Sequence, residues 1–441
     1  MISGAGYAPG VPTVDPGDPH RFAMNGQFWY PAGYYPAIAA LTADQTDYVN
    51  YYKNLINKQS ANRINYFRNV LTMGQPCGNS IVPYLRTGPG NANDGRPKFD
   101  LRPGSPRFDE PFFDYWRTVI TYAQSKGVVV QLCIFDTWHN KAWITESGGD
   151  IQHEWGMKYD FYNGANNING INTANSTDWT NPSHPVFQIQ KLLIEQVVRK
   201  LGDLPNIVYE ISNENYYNAN WELQLADHLS AYEASRGLAR HLVMPRDLPN
   251  HDNAGGKRND PATTHNEMVG KHGVNKPLVA DNDGGGDADV TGRRRKAWAV
   301  LTADGHVNYF HFSMYQKAVL DSQDVSDGMR YVGYTRKFVE DLAVDLRGMQ
   351  PSDSLVSNGW CYAKSGERYV LYLMNGGSTT IWGLPGSYSA KWFNPRDGSN
   401  QPASGGPAFT TPDGNDWVLY IVKTAESQPG RPGRRPGRGS G

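Results

Sequence analysis

Short apolar runs of strand length alternate with longer segments of helix length over most of this 441-residue chain. Near-continuous apolar strands that alternate with helices are typical of a parallel sheet covered on both faces. We count eight such strands, and that number favours a (β/α)8 (TIM) barrel over an open, doubly wound sheet. No glycine-rich nucleotide-binding motif follows any of them. The predicted strands are 28–35, 64–71, 128–135, 206–212, 241–244, 263–265, 277–280 and 307–312.

The pattern changes beyond residue 350, where helix-length periods stop. Short β-branched or aromatic runs at 368–374, 389–394 and 416–422 are separated by Gly, Pro and Asn turns. Such runs predict a small antiparallel β-sandwich. The predicted organisation is an irregular leader at 1–19, a catalytic barrel at 20–347, a β-sandwich at 350–424 and a disordered Gly/Pro/Arg tail at 425–441.

Charge and cysteine content exclude several classes of function. With 42 Lys+Arg against 43 Asp+Glu, the chain has no basic footprint for nucleic acid. No apolar run is long enough to span a bilayer, and three cysteines are too few for a disulfide framework or a zinc centre. We expect no metal and no cofactor. The basic run 293–296 is interpreted as the solvated start of a helix.

Carboxylates follow two of the predicted strands. In a (β/α)8 enzyme the active site lies at the carboxyl ends of the strands. The fourth strand leads to Asn213 and Glu214, and the seventh leads to Asp281 and Asp283. Glycosidic cleavage needs two carboxyl groups that flank the bond. We therefore predict that Glu214 protonates the leaving oxygen and that either Asp281 or Asp283 attacks the anomeric carbon or activates water, with Asn213 and Arg68 positioning the site.

Arg68, in the second strand, is expected to hold the ionised second carboxylate. Glu210, inside the fourth strand, is interpreted as a structural hydrogen-bond acceptor. Aromatic faces stack on sugars, and the chain has 12 Trp, 26 Tyr and 15 Phe. Further side chains beside the predicted strand ends are predicted to contact a carbohydrate substrate. These are Asp136, Trp138, His139, Tyr216, His265 and His311.

These residues resemble a known family. Asn213-Glu214 at the fourth strand, the N-x-x-R pattern from Asn65 to Arg68 and the opening FAMNGQFW are similar to clan A glycoside hydrolases, the retaining (β/α)8 enzymes that include family 5. The runs WFNPRDG (392–398) and DWVLY (416–420) resemble the collagen-binding-type domain that follows the barrel in apiosidase-type hydrolases. The resemblance implies that Glu214 is the acid/base of a retaining glycosidase.

One position departs from the family pattern. The clan's nucleophile is a Glu in a K-P-x-x-x-x-E pattern, and that position here is Asn282, between Asp281 and Asp283. Three alternatives therefore stay open: an inverting hydrolase, a carbohydrate-binding barrel without catalysis, and a calcium loop at these aspartates. The sugar, the linkage, the anomer, exo or endo action and the oligomeric state are not determined. The protein is secreted or periplasmic if a leader has been removed, and cytoplasmic otherwise.

Overall fold

The structure of the chain, a computed structural model, describes residues 10–36, 48–71, 82–137, 158–173, 175–215, 218–250, 255–256, 258–280 and 288–424. Several predictions concern residues outside these ranges: the tail at 425–441, the candidate nucleophiles Asp281 and Asp283, and the candidate substrate contacts Trp138, His139 and Tyr216.

The described chain begins with an antiparallel sheet of three strands, β1 (Pro12–Asp15), β2 (Asp18–Met24) and β3 (Gln27–Trp29). The prediction of an irregular leader through residue 19 is therefore wrong for residues 12–15, 18 and 19. The sequence PTVD has no strong period of its own, but it pairs along its length with residues 18–24. Pairing with a neighbouring strand, rather than local propensity, makes it a strand.

The central strands are β4 (Gly33–Pro36), β5 (Tyr66–Val70), β6 (Arg86–Asn91), β7 (Pro97–Phe99), β8 (Val129–Asp136), β9 (Ile207–Asn213), β10 (Val243–Met244), β11 (Leu278–Ala280) and β12 (Gly305–His311). β6 and β7 form a separate antiparallel hairpin. The other seven form one parallel sheet in the order β10-β9-β8-β5-β4-β12-β11. This is the order expected when each strand is added beside its predecessor and the last strands return to the first.

The sheet curls into a barrel. Met244 on β10 and Val279 on β11 stand at opposite ends of the strand order, yet both belong to one buried cluster. Tyr66, Val129 and Val208 from three intervening strands belong to the same cluster. Residues from both edges can share a cluster with the middle strands only if the sheet closes around it.

The helices cover the outside of the sheet. The predicted helix before the third strand is confirmed: its buried face consists of Phe112, Phe113, Trp116, Val119, Ile120 and Ala123. No helix in the described ranges is both long and apolar enough to cross a bilayer. The helices are α1 (Tyr48–Ala61), α2 (Glu110–Ser125), α3 (Ser176–Trp179), α4 (Val186–Leu201), α5 (Ala219–Ser235), α6 (Pro261–Lys271), α7 (Val290–Thr302), α8 (Lys317–Leu320) and α9 (Gln323–Asp341).

Two strand predictions need correction. The first predicted strand, 28–35, spans the end of β3, a break, and the barrel strand β4. The sixth, 263–265, lies inside helix α6. Asp260 caps that helix, accepting from Thr263 N at 2.7 Å, and Pro261 occupies its first turn. The barrel sheet consequently has seven strands in the described part of the chain.

The C-terminal region is an antiparallel sandwich. Its strands are β13 (Gln350–Pro351), β14 (Trp360–Lys364), β15 (Arg368–Leu373), β16 (Ser378–Thr380), β17 (Tyr388–Phe393), β18 (Asn400–Pro402), β19 (Ala408–Thr410) and β20 (Trp417–Lys423). Six form one sheet, and β16 pairs with β19 in a second. Leu371 and Leu373 face that second sheet, whereas Val370 and Tyr372 join the core of the barrel. The fold class, a (β/α) barrel followed by an antiparallel β-sandwich, is confirmed.

Three of the four basic residues at the start of α7, Arg293, Arg294 and Lys296, are buried rather than solvated. Arg294 forms a bidentate ion pair with Asp416, which precedes β20. Lys296 donates to the backbone oxygens of Gly256 and Arg258. Buried cations need partners, and here each cation ties α7 to a different part of the molecule. Helix α7 therefore connects the barrel with the sandwich.

Candidate active site

A hydrogen-bonded group of four side chains lies at the carboxyl-terminal parts of β5, β8 and β9. Arg68 binds Glu210 through two bonds, Nε to Oε2 at 2.6 Å and Nη2 to Oε1 at 2.9 Å. The same Nη2 donates to Asn213 Oδ1 at 2.9 Å, and Asn213 Nδ2 donates to Asp136 Oδ1 at 2.9 Å. All four residues are buried. The group fixes Asn213 from both sides, immediately before Glu214.

Among the described residues, the carboxylate that Arg68 binds with two hydrogen bonds is Glu210. Asp281 and Asp283, the carboxylates that Arg68 was expected to hold, lie outside the described residues, so that expectation stays a prediction. Burial alone would lower the pKa of Arg68, yet the adjacent Glu210 raises it well above its ordinary value. Gln131 also donates to Glu210 Oε2, at 2.8 Å. Glu210 thus has the hydrogen-bonding role predicted for it.

Glu214 directly follows the last residue of β9 and is partly buried. Its backbone is left-handed, with a φ of 49°. This conformation is uncommon for residues other than glycine, and such strained residues cluster at active sites and ligand clamps. Along a strand, successive side chains point to opposite faces of the sheet. The turn at Glu214 interrupts this alternation, so the direction of the Glu214 side chain depends on the turn and on its neighbours.

Glu222, in the first turn of α5, is a buried carboxyl group that the sequence analysis missed. It accepts from Ser212 Oγ at 2.7 Å, Asn250 Nδ2 at 2.9 Å and Asn215 Nδ2 at 3.3 Å. Burial raises its pKa to about 7. Ser212 and Asn215 flank Glu214 in the chain. Glu222 therefore anchors the segment that carries Glu214 to the first turn of the next helix.

His311 ends β12, beside β4, and is buried. Its Nε2 lies 3.6 Å from Asp324 Oδ2, and its ring packs 5.8 Å from the ring of Tyr34. Tyr34 in turn stacks on Tyr309 at 5.2 Å. The structure places His311 at the carboxyl end of β12, and its contact with a substrate stays a prediction.

The segment with Asp281 and Asp283 lies outside the described residues, but the structure shows what holds its two ends. β11 ends at Ala280, next to β12. On the other side, Ala288 N donates to Tyr309 Oη at 3.1 Å, and Ala288 O accepts from Arg293 Nε at 2.9 Å. The ends of this segment are thus attached to the barrel strands and to the start of α7.

His265 does not lie at the carboxyl ends of the strands. It is buried on α6, where its Nε2 lies 2.9 Å from Asp353 Oδ2 and its Nδ1 lies 3.1 Å from Ala299 O. Its ring stacks on Trp360 of the C-terminal sheet at 4.5 Å. The predicted substrate contact is wrong for this residue, because the segment taken as a strand is a helix that packs against the sandwich.

Comparisons with known proteins agree with this architecture. No protein-family model matches the chain, and no curated protein matches it in sequence. A candidate glycoside hydrolase from Bacteroides vulgatus ATCC 8482 shares the fold, with a TM-score of 0.64 and 13% identity, over 95% of this chain and 84% of that one. A family 5 glycoside hydrolase from the same organism gives a TM-score of 0.59 and 15% identity, over 95% of this chain and 93% of that one. The chain has the fold of these two proteins.

Proposed function

We propose that this protein is a glycoside hydrolase that cleaves an oligo- or polysaccharide with two carboxyl groups, Glu214 being the general acid/base. The observation that carries the proposal is the position of Glu214. It stands in a left-handed turn at the carboxyl end of β9, next to an asparagine held by Arg68 and Asp136. The glycoside hydrolases with this fold support it.

In the proposed reaction, Asp281 or Asp283 attacks the anomeric carbon. The bond from that carbon to the glycosidic oxygen breaks, and the leaving oxygen takes the proton of Glu214. Glu214, now ionised, then removes a proton from water, which attacks the anomeric carbon of the glycosyl ester and releases the sugar and the aspartate. In the inverting variant, the aspartate instead activates water for a single displacement on the opposite face of the sugar.

The neighbouring groups have supporting roles in this proposal. Asn213 is fixed between Arg68 and Asp136, so its amide is oriented before substrate arrives. Glu222 holds Ser212 and Asn215 on either side of Glu214. Preorganised polar groups lower the barrier because they need no reorientation as charge develops. His311 is proposed to contact the carbohydrate from the end of β12.

The first test compares wild type with Glu214→Gln on a panel of polysaccharides and on aryl glycosides. Loss of the acid should reduce kcat/KM on natural linkages by about 10²–10⁴-fold. The loss should be much smaller for cleavage of a dinitrophenyl glycoside, because the dinitrophenolate leaves without being protonated. The control is Glu367→Gln, at a partly exposed carboxyl paired with Lys364 on the sandwich. Full activity of Glu214→Gln on a natural substrate would refute the assignment.

The second test concerns the aspartates. Asp281→Asn and Asp283→Asn are assayed side by side, and the anomer of the first product is followed by NMR. Loss of activity in one variant only identifies the second carboxylate, and the product anomer separates retention from inversion. If neither substitution lowers activity, a strand-seven aspartate is not the second carboxylate.

Binding without cleavage is the competing outcome. The Glu of the family pattern is replaced by Asn282, and this change favours a barrel that only holds carbohydrate. Saturable binding of a polysaccharide, with no product from wild type across the panel, would support that reading and contradict the hydrolase proposal.

A further inference from the structure

Three potential metal ligands meet at the amino-terminal end of the barrel strands, opposite to Glu214. His20 comes from β2, His272 follows α6, and Asp304 precedes β12. His20 Nδ1 lies 2.7 Å from Asp304 Oδ2, and His272 Nδ1 lies 2.6 Å from the same oxygen. The three ligand atoms all lie within 4.8 Å of one another. Three separate elements thus direct two imidazole nitrogens at one carboxylate oxygen.

The two imidazoles are arranged as a pair. Their rings stack with centroids 4.4 Å apart and an interplanar angle of 19°. Within the described residues, His20 Nδ1 is buried yet makes no hydrogen bond of acceptable geometry, although Asp304 is near. A buried ring nitrogen without a hydrogen bond is costly. A cation between the three ligand atoms would satisfy this nitrogen through its lone pair.

The carboxylate is oriented from its other side. Arg21 Nη2 and Tyr362 Oη both donate to Asp304 Oδ1, the latter at 2.7 Å. These bonds leave Oδ2 directed toward the two histidines. Outer hydrogen bonds of this kind commonly fix the ligands of metal sites. The positive charge of Arg21 also opposes a bound cation, so the affinity should be lower than at a site without a neighbouring cation.

We propose that His20, His272 and Asp304 bind one divalent transition-metal ion of the zinc class. Two nitrogens and one carboxylate oxygen suit Zn²⁺ rather than Ca²⁺, which prefers oxygen ligands throughout. With metal–ligand bonds of about 2.0–2.1 Å, tetrahedral zinc separates its ligand atoms by about 3.3 Å. The imidazoles therefore move back from Asp304 by about 0.6–0.7 Å, and water completes the coordination.

The proposed ion has a structural role. It would link β2 of the N-terminal sheet to the end of α6 and to the start of β12, three segments that come from different parts of the sequence. Through Tyr362 the same carboxylate is tied to the C-terminal sheet. The ion would therefore stabilise the folded state, and the site is remote from the carboxyl ends of the strands where cleavage is proposed.

The test uses the full chain after chelation and dialysis. Zn²⁺ is titrated by calorimetry, and the melting temperature is measured with Zn²⁺, with Ca²⁺ and without added metal. Wild type should bind one equivalent of Zn²⁺ and melt at a higher temperature with Zn²⁺ but not with Ca²⁺. His272→Gln, at a partly exposed position, should weaken binding by at least about tenfold and abolish the thermal shift.

The matched control is His228→Gln, a partly buried histidine that faces Glu195 on α4. It should keep both the binding and the thermal shift. If His272→Gln does not fold, His20→Gln is examined instead. Binding of less than one equivalent by wild type, or an equal shift in wild type and a folded ligand variant, would show that the cluster is only a hydrogen-bonded network.

Discussion

Glu222 is a carboxyl group whose protonation is coupled to folding. Burial raises its pKa in the folded state from the ordinary 4.5 to about 7. Between these two values the unfolded chain releases its proton first, so the folded state loses stability as pH rises. The shift corresponds to roughly 3 kcal/mol, present below about pH 4.5 and lost by about pH 7–8.

Replacing this carboxyl group should remove that pH dependence. Relative to Glu222→Gln, the free energy of unfolding of wild type should fall by up to roughly 3 kcal/mol between pH 4.5 and pH 8. Urea denaturation of both proteins at several pH values measures this difference. Glu340→Gln, at an exposed carboxyl of α9, is the control. A constant difference between wild type and Glu222→Gln would contradict the prediction.

The buried pair of Arg68 and Glu210 makes a second prediction at the residue scale. Glu210→Gln leaves the Arg68 charge without its carboxylate and should cost about 3–5 kcal/mol of stability. The double variant Arg68→Met/Glu210→Gln should lose less than the sum of the losses of Arg68→Met and Glu210→Gln, because no unpaired charge remains. Chemical denaturation gives all four free energies, and strictly additive losses would show that the pair is not coupled.

At the scale of the element, α7 joins the segment with Asp281 and Asp283 to the rest of the molecule. Its N-cap is Asp289, which accepts from Gly292 N at 2.6 Å. Asp289→Ala should lower the free energy of unfolding by about 1 kcal/mol. Asp289→Asn should lower it much less, because asparagine also caps helices. Thermal denaturation of the two variants checks this. Equal losses would mean that the side-chain cap does not stabilise the helix.

Helix α6 shows which local signal outweighs a short run of β-branched residues. The segment DPATTHNE was predicted to hold a short strand, but Asp260 and Pro261 form an N-cap followed by a first-turn proline. That combination is a recognised helix start, and it was present in the sequence. Three residues of strand propensity cannot outweigh a capped helix of three turns that packs against α7.

At the scale of the molecule, the barrel and the sandwich share one core. Trp298 on α7 packs against Phe338 on α9 at 5.4 Å and against Phe393 on β17 at 5.6 Å. Val370 and Tyr372 from the sandwich belong to the same cluster. Neither part can lose its structure without exposing apolar surface of the other.

We therefore expect a single unfolding transition for the whole chain. Circular dichroism and tryptophan fluorescence should give coincident curves, and Trp298→Ala should destabilise that transition by about 3–5 kcal/mol. Trp382→Ala removes a side chain that is 51% exposed and should have little effect. Two resolved transitions in wild type would show that the barrel and the sandwich unfold independently.

The sequence by itself determined the alternation of strands and helices, the change to an antiparallel sandwich beyond residue 350, and the place of Asn213-Glu214 at the end of a buried strand. These features are local, because the period of apolar residues reports how one element is buried. Only the tertiary structure decided that Arg68 pairs with Glu210, that Glu222 anchors the Glu214 segment, and that His20, His272 and Asp304 meet. Those contacts join residues that no sequence period relates, so they exist only once the barrel has closed and the sandwich has packed against it.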